Sequence, residues 1–231
     1  MTFQKVTKAA ETPHGRWYGD ACGTAFAMEL IGERWSLMIV RELMLGPRRF
    51  SDLRASLPGL SAKVLTERLT SLEAVGALRR EELPPPAAAK VYALTQWGYS
   101  AEPAIQELGR WAAQHSGHDP TLPLSPVSLM LSFRTMFDAG RAGDLRATIG
   151  FDIAGEQFVV DVADGKLVAR RGNASEGEAV FRAPAAPVIA ALTYADVPSE
   201  ELKAGAGLVI EGNEALAQRY VDIFELPPKI A

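Results

Sequence analysis

The chain has 231 residues, 48% of them hydrophobic and 23% charged, and a formal net charge of −4. That length suits one large domain or two ordinary ones, and that composition excludes a disordered or fibrous chain. No run reaches the roughly 18 apolar residues of a membrane span, and the single cysteine, Cys22, excludes an internal disulfide framework.

Chain order then gives two stretches of different periodicity. Helical spacing predicts helices over 24–33 and 36–45, the second carrying Leu37, Val40, Leu43 and Met44. Gly46-Pro47 stops it. Ser51 caps a short helix over 52–57, and Leu57-Pro58-Gly59-Leu60 is a turn. Ser61 caps a longer helix reaching about Val75, with Leu60 stapling onto Leu65. Leu78–Glu82 and Lys90–Leu94 read as strands joined by a proline-rich tip. Thr95 caps a helix reaching His115, kinked or restarted at Pro103. Three prolines within 117–126 mark a linker.

After the linker a helix over 127–138 leads to strands at Ala147–Ile153, Gln157–Val162, Lys166–Arg170 and Ala179–Arg182. Asp164-Gly165 is a hairpin signal between two of them. Helices follow at 184–195 and 213–224, with a strand at Leu208–Glu211 between. The fold class is therefore multidomain α+β: a domain over 1–117, a linker over 118–126 and a second domain over 127–231.

Charge divides with the periodicity. Residues 1–117 hold 14 Lys and Arg against 12 Asp and Glu, a balance of +2, while residues 118–231 hold 10 against 16, a balance of −6. Such asymmetry points to two domains with different partners.

A short helix, a Pro-Gly turn, a capped helix and a hairpin is the order of a winged helix-turn-helix, whose second helix enters the major groove. At about 100° per residue, Leu65, Leu69, Leu72 and Val75 form one apolar stripe. Lys63, Thr66, Glu67 and Thr70 lie opposite, with Arg68 on the flank. Those side chains suit base edges and phosphates. Ser61, Ala62 and Lys63 sit at the helix N-terminus, where free N–H groups favour a phosphate. A purely structural amphipathic helix has the same pattern.

The sequence resembles the HxlR-type winged helix-turn-helix regulators of the MarR-like superfamily. The likeness runs through Leu30-Ile31-Gly32-Glu33-Arg34-Trp35-Ser36-Leu37, Gly46-Pro47-Arg48-Arg49-Phe50-Ser51-Asp52-Leu53 and Leu60–Leu69. It continues in Val91-Tyr92-Ala93-Leu94-Thr95 and Leu108-Gly109-Arg110-Trp111, covering about residues 18–115. The resemblance implies a homodimeric regulator of double-stranded DNA, with 51–57 and 61–75 as the helix pair and 83–89 as the wing tip. That tip carries no cation, so minor-groove contact falls to Arg79, Arg80 and Lys90. Arg48, Arg49, Ser51 and Arg54 complete the candidate DNA-binding set. Two recognition helices on a two-fold axis read a palindrome. Phe26, Trp35, Leu108 and Trp111 offer a dimer seam or pack within one subunit.

The second half resembles the sterol carrier protein family, through Gly155-Glu156-Gln157-Phe158, Val162–Leu167, Glu178–Arg182 and Leu208–Asn213. That likeness implies a sheet flanked by helices around an apolar cavity, suited to an apolar small-molecule effector. Phe133, Met136, Phe137, Phe151, Phe158, Leu192, Tyr194 and Phe224 line such a cavity or form an ordinary core.

No catalytic constellation accompanies these features. Gly98-Tyr99-Ser100-Ala101-Glu102 lacks the last glycine of a nucleophile elbow, and Gly205-Ala206-Gly207 lacks the third glycine of a dinucleotide loop. His115, His118 and Asp119 straddle a helix end and have no metal-site spacing. The chain is read as a non-enzyme with no cofactor and no metal. Cys22 precedes a helix, where a thiol can act as a redox switch, although Asp20 opposes its thiolate and a buried structural role is the alternative. Met1-Thr2-Phe3-Gln4-Lys5 lacks a signal-peptide core, so a cytoplasmic location without a membrane partner is expected. The function expected is a transcriptional repressor on a palindromic operator. The competing reading is a lipid or small-molecule carrier whose helical half only dimerises.

Overall fold

The computed structural model describes residues 18–84, 88–120 and 122–230. The N-terminal stretch read above for a leader, Pro85, Pro86 and Ala87 of the wing tip, and Thr121 of the linker lie outside them. The chain divides into two compact units, one made of the residues to Leu43 with Pro47–Tyr99, the other of Met44–Gly46 with the residues from Ser100 on.

In the first unit α1 (Gly23–Ile31) and α2 (Ser36–Leu43) precede α3 (Phe50–Ser56) and α4 (Ala62–Ala74). The hairpin β1 (Leu78–Glu82) and β2 (Lys90–Leu94) follows, then the single turn α5 (Gln96–Tyr99). Helix α4 starts at Ser61, whose hydroxyl oxygen accepts from the Val64 N–H at 3.2 Å, as capping requires. Its apolar stripe is inside: Leu65, Leu69 and Leu72 are fully buried, together with Ile39, Leu43 and Leu53. Each such side chain contributes about 1.5–3 kcal/mol relative to exposure. The two strands pair antiparallel, Leu78 opposite Leu94. Arg48 adds a third, one-residue rung through mutual backbone bonds with Tyr92 at 3.0 and 2.8 Å. Thr95 donates its hydroxyl to the Gly76 carbonyl at 2.7 Å and accepts from the Gly98 N–H at 3.0 Å, so it caps α5 and anchors it to the hairpin base.

The second unit begins with α6 (Glu102–Ala113) and α7 (Pro126–Met136), followed by the short α8 (Ala139–Ala142). The helix expected from Thr95 to His115 is two helices. Pro103 sits in the first turn of α6, where its missing N–H costs nothing, so the chain restarts there instead of kinking. A sheet of five strands comes next: β3 (Ala147–Ile153), β4 (Glu156–Ala163), β5 (Lys166–Arg171), β6 (Ala179–Ala183) and β7 (Val209–Gly212). Its order is β5-β4-β3-β6-β7. Only β3 and β6 pair parallel. The β4–β5 turn has Asp164 and Gly165 at φ 52° and 67°, the two left-handed residues of the expected hairpin turn. Gly150 has a different reason: a Cβ there would come 1.9 Å from the carbonyl oxygen of Ala174, in the 3-10 turn Ala174–Glu176 laid across β3.

Helices α9 (Ala186–Tyr194), α10 (Ser199–Gly205) and α11 (Glu214–Val221) complete the unit. Its core is aromatic. Phe151 stacks on Phe181 with centroids 5.3 Å apart, and Phe133 lies 4.8 Å from Phe224 and 5.6 Å, edge-on, from Tyr220. Arg134 reaches from α7 to Glu102 of α6 at 2.7 Å and to the Ala169 carbonyl of β5. Arg110 of α6 donates to the Thr135 carbonyl, and Lys229 donates to the Ala113 and His115 carbonyls at the end of α6. Helix α6 is thereby fastened to its own unit at both ends.

Candidate nucleic-acid interface

Four charged side chains lie on α4, and two of them are occupied. Arg68, on the flank, is ion-paired with Glu33. Glu73 near the C-terminus holds Arg80 of β1 at 3.0 Å. The remaining two, Lys63 and Glu67, form an i,i+4 pair at 4.0 Å with 87% and 49% of their side chains exposed. Thr66 turns its hydroxyl back onto the Ala62 carbonyl at 2.9 Å. Thr70 is exposed on the same face, one turn on. Ala62 opens the helix behind the Ser61 cap, which leaves Ser61 exposed but its oxygen engaged.

Helix α3 supplies the neighbouring surface. Asp52 accepts from the Arg49 N–H at 3.4 Å and from the Ser51 hydroxyl at 3.1 Å, which fixes its first turn. Arg49, Ser51 and Arg54 are exposed. Arg48 is not: it is 6% exposed, its guanidinium donates to Ser56 Oγ at 3.0 Å, and its backbone pairs with Tyr92. On the hairpin Arg79 pairs with Glu81 at 2.6 Å, and Arg80 also lies over the Tyr92 ring at 5.6 Å. Lys90 is exposed opposite Glu82.

The structure thus brings Arg49, Ser51, Arg54, Ser61, Lys63, Thr66, Glu67 and Thr70 onto the exposed surfaces of α3 and α4. Arg79, Arg80 and Lys90 lie on the hairpin, while Arg48 and Arg68 are held within the unit. Glu33, Glu73 and Tyr92, which hold Arg68 and Arg80, lie outside the candidate DNA-binding set that the sequence suggests. They are partners across elements, and no local spacing announces them.

Cys22 is exposed, not buried. It stands at the N-cap of α1. The backbone N–H groups of Thr24 and Ala25, and then the Thr24 hydroxyl, hold its thiol below the ordinary value, because hydrogen bonds to a thiolate favour it. Its own N–H donates to Asp20 Oδ1 at 2.9 Å, so that carboxylate is partly occupied.

In the second unit most of the aromatic candidates are core: Phe133, Phe151 and Phe158 have no exposure. Two adjacent cavities open beside that core. One of about 270 Å³ is lined by apolar Phe181, Leu192, Ile210 and Val221 and by polar Ser199, Glu200, Lys203, Glu214 and Gln218, Lys203 standing between Glu200 and Glu214. The other, about 200 Å³, shares Leu192, Ser199, Gln218 and Val221 and adds Phe224 together with the charged Arg141, Asp196 and Asp222. Among the described residues no group of three or more His, Cys, Asp or Glu is placed to hold a metal. No described helix is long and apolar enough to cross a membrane.

Residues 30–120 match the family model of the HxlR-like helix-turn-helix. The uncharacterized HTH-type transcriptional regulator YvaP of Bacillus subtilis is 38% identical over 88 residues, 38% of this chain and 82% of that protein. The HTH-type transcriptional regulator YodB of the same organism is also 38% identical, over 38% of this chain and 79% of its own. The solved reduced form of YodB is 34% identical and covers 43% of this chain and 100% of its own, at a TM-score of 0.39. These matches span less than half of the present chain and most of each relative. The chain belongs to the HxlR-like helix-turn-helix family of DNA-binding transcriptional regulators.

Proposed function

We propose that the protein is a homodimeric repressor that binds a palindromic operator through α4 and senses an apolar small molecule in its second unit. The observation that carries this reading is the exposed surface of α3 and α4. Arg49 and Arg54 neutralise phosphates there, and Ser51, Ser61, Ala62, Lys63, Thr66, Glu67 and Thr70 face the groove. Arg79, Arg80 and Lys90 serve the flanking backbone. Arg48 and Arg68 act by positioning, the one tying α3 to the hairpin and the other fixing α4 against Glu33. Dimerisation is supported by α1, an apolar helix none of whose residues is buried, with Phe26 46% exposed. On α6, Leu108 and Trp111 are 46% and 71% exposed. Two half-sites roughly double the binding free energy of one.

The sterol carrier-like reading of the second domain, over 127–231 after a linker at 118–126, is supported by a mixed sheet with helices and by the two cavities beside its aromatic core. Its apolar effector regulates only by binding two arrangements of the dimer with different affinity. Modification of Cys22, exposed at the start of α1, is the redox input of the same switch.

Fluorescence anisotropy with DNA from upstream of the protein's own gene, against scrambled DNA at two salt concentrations, tests the regulator. Selective binding that weakens with salt supports it, and the slope counts neutralised phosphates. Absence of binding to either DNA at low salt rejects it. Displacement of an apolar dye from the full chain, lost in Leu192→Trp, tests the effector site, because Leu192 lines both cavities.

A further inference from the structure

We propose that the Lys63–Glu67 pair reads one G·C base pair, Lys63 donating to the guanine and Glu67 accepting from the cytosine. The inference rests on the regulator reading and deepens it by naming a base pair of the operator. An exposed carboxylate on a surface that meets phosphates is electrostatically adverse, so Glu67 needs a specific donor there. An exposed i,i+4 pair adds little to helix stability, which leaves its position on this face unexplained by folding.

The chemistry of the groove selects the partner. In the major groove cytosine presents only its N4 amino group, a donor, whereas adenine sets an N7 acceptor beside its N6 donor. That N7 lone pair repels a carboxylate but suits an amide. Guanine presents two acceptors, N7 and O6, and no donor, matching an ammonium. The guanine O6 and cytosine N4 are hydrogen-bonded to each other at about 2.9 Å. The ends of the Lys63–Glu67 pair are 4.0 Å apart, so an ammonium and a carboxylate already stand side by side, about 1 Å wider than that separation. The pair presents donor and acceptor in the order that the edge of a G·C pair complements. Engagement with Lys63 also screens the Glu67 charge as the helix approaches DNA. The other two charged groups of α4 cannot take the role, since Arg68 is held by Glu33 and Glu73 by Arg80.

The experiment selects double-stranded sites from a randomised library with the full chain, then measures affinities of wild type, Glu67→Ala and Glu67→Gln for the selected site and its single-pair variants. Wild type should fix one G·C pair in each half-site, and replacing it by A·T in both should weaken binding at least about 10-fold. Glu67→Ala should reduce the discrimination at that position alone, leaving the part that Lys63 supplies through guanine. Glu67→Gln should move the preference there to A·T, because an amide pairs with adenine N6 and N7. An undiminished G·C preference in Glu67→Ala, or uniform loss of affinity across all sequences, overturns the inference while the regulator reading stands. A wild type that binds no DNA at low salt overturns both. Thermal midpoints of the variants, expected to match wild type at this exposed position, exclude a folding defect.

Discussion

The two units use arginine in opposite ways. In the second unit every arginine has a carboxylate: Arg134 has Glu102, Arg171 has Glu156, Arg170 has Asp161 and Glu176, and Arg182 has Asp152 and Glu211. Arg110, Arg141, Arg146 and Arg219 are paired likewise. In the first unit the arginines that fix the architecture are paired or buried, while Arg54 is exposed and, among the described residues, makes no ion pair. A basic surface meant for phosphates has to stay uncommitted, because a cation already neutralised releases no counterion when DNA arrives. Net charge per domain gives only the sum. What distinguishes the units is that the first holds an exposed arginine, Arg54, that among the described residues makes no ion pair.

The sharpest way to break that contrast is to remove the exposed cations of the first unit's α3 surface. Arg49→Ala and Arg54→Ala together should weaken operator binding on the order of 10- to 100-fold, since each substitution removes a phosphate contact from both half-sites of a dimer. The salt slope should fall by about two for each position. Arg170→Ala, which removes a paired cation, should leave affinity unchanged. Equal losses from the two sets, read by anisotropy, would remove the distinction.

The next effect belongs to the paired set. Arg134 is 18% exposed and joins α7 to Glu102 and to the Ala169 carbonyl. Arg134→Ala leaves Glu102 and that carbonyl without their partner, a loss of roughly 2 kcal/mol once partial exposure is discounted. Thermal unfolding should show the midpoint of the second unit falling while DNA affinity of the folded protein is kept. Unaltered stability would mean that the pairing there is ornamental.

How far the sequence announces these differences depends on distance along the chain. The α4 stripe of Leu65, Leu69 and Leu72, the Ser61 cap and the Asp164-Gly165 turn are local patterns, and the structure has each where its pattern lies. Helix α10 has acidic residues in its first turn and Lys203 in its last, but a single buried residue, Leu202, gives no period to detect. The candidate interface is legible only as residue types. Nothing near Arg68 in sequence shows that Glu33 takes it, nothing near Arg48 shows that Ser56 and Tyr92 bury it, and the same amphipathic pattern would fit a helix with all its charges engaged.

Cys22 offers a smaller, pH-dependent test on the exposed side of the comparison. Its thiol is held below the ordinary value by the Thr24 and Ala25 N–H groups and the Thr24 hydroxyl, so alkylation by iodoacetamide should reach half-maximal rate at a lower pH than for an unperturbed cysteine. Thr24→Val should raise that midpoint partway, the backbone donors being retained. The sign for stability follows: a depressed folded value gives a contribution present above the unfolded pKa and lost as pH falls through the folded one. A midpoint at the ordinary cysteine value would remove the basis for Cys22 as a switch.

The smallest effect probes how strictly the second unit satisfies its polar groups. Every arginine there is paired, yet the Tyr220 hydroxyl, fully buried among Phe133, Phe151, Phe181 and Phe224, has no hydrogen-bond partner. Tyr194, nearby, is satisfied by Ser132 at 2.8 Å. Burial holds the Tyr220 phenol well above its ordinary value, so it stays neutral and its cost is that of an unmet donor. Tyr220→Phe removes the hydroxyl and keeps the ring contacts, so it should stabilise the unit by up to about 1 kcal/mol. Tyr194→Phe should destabilise by a similar amount, because it strands the Ser132 hydroxyl. Matched chemical denaturation of the two variants checks the pair, and a loss of stability in Tyr220→Phe would mean that this hydroxyl is satisfied in solution.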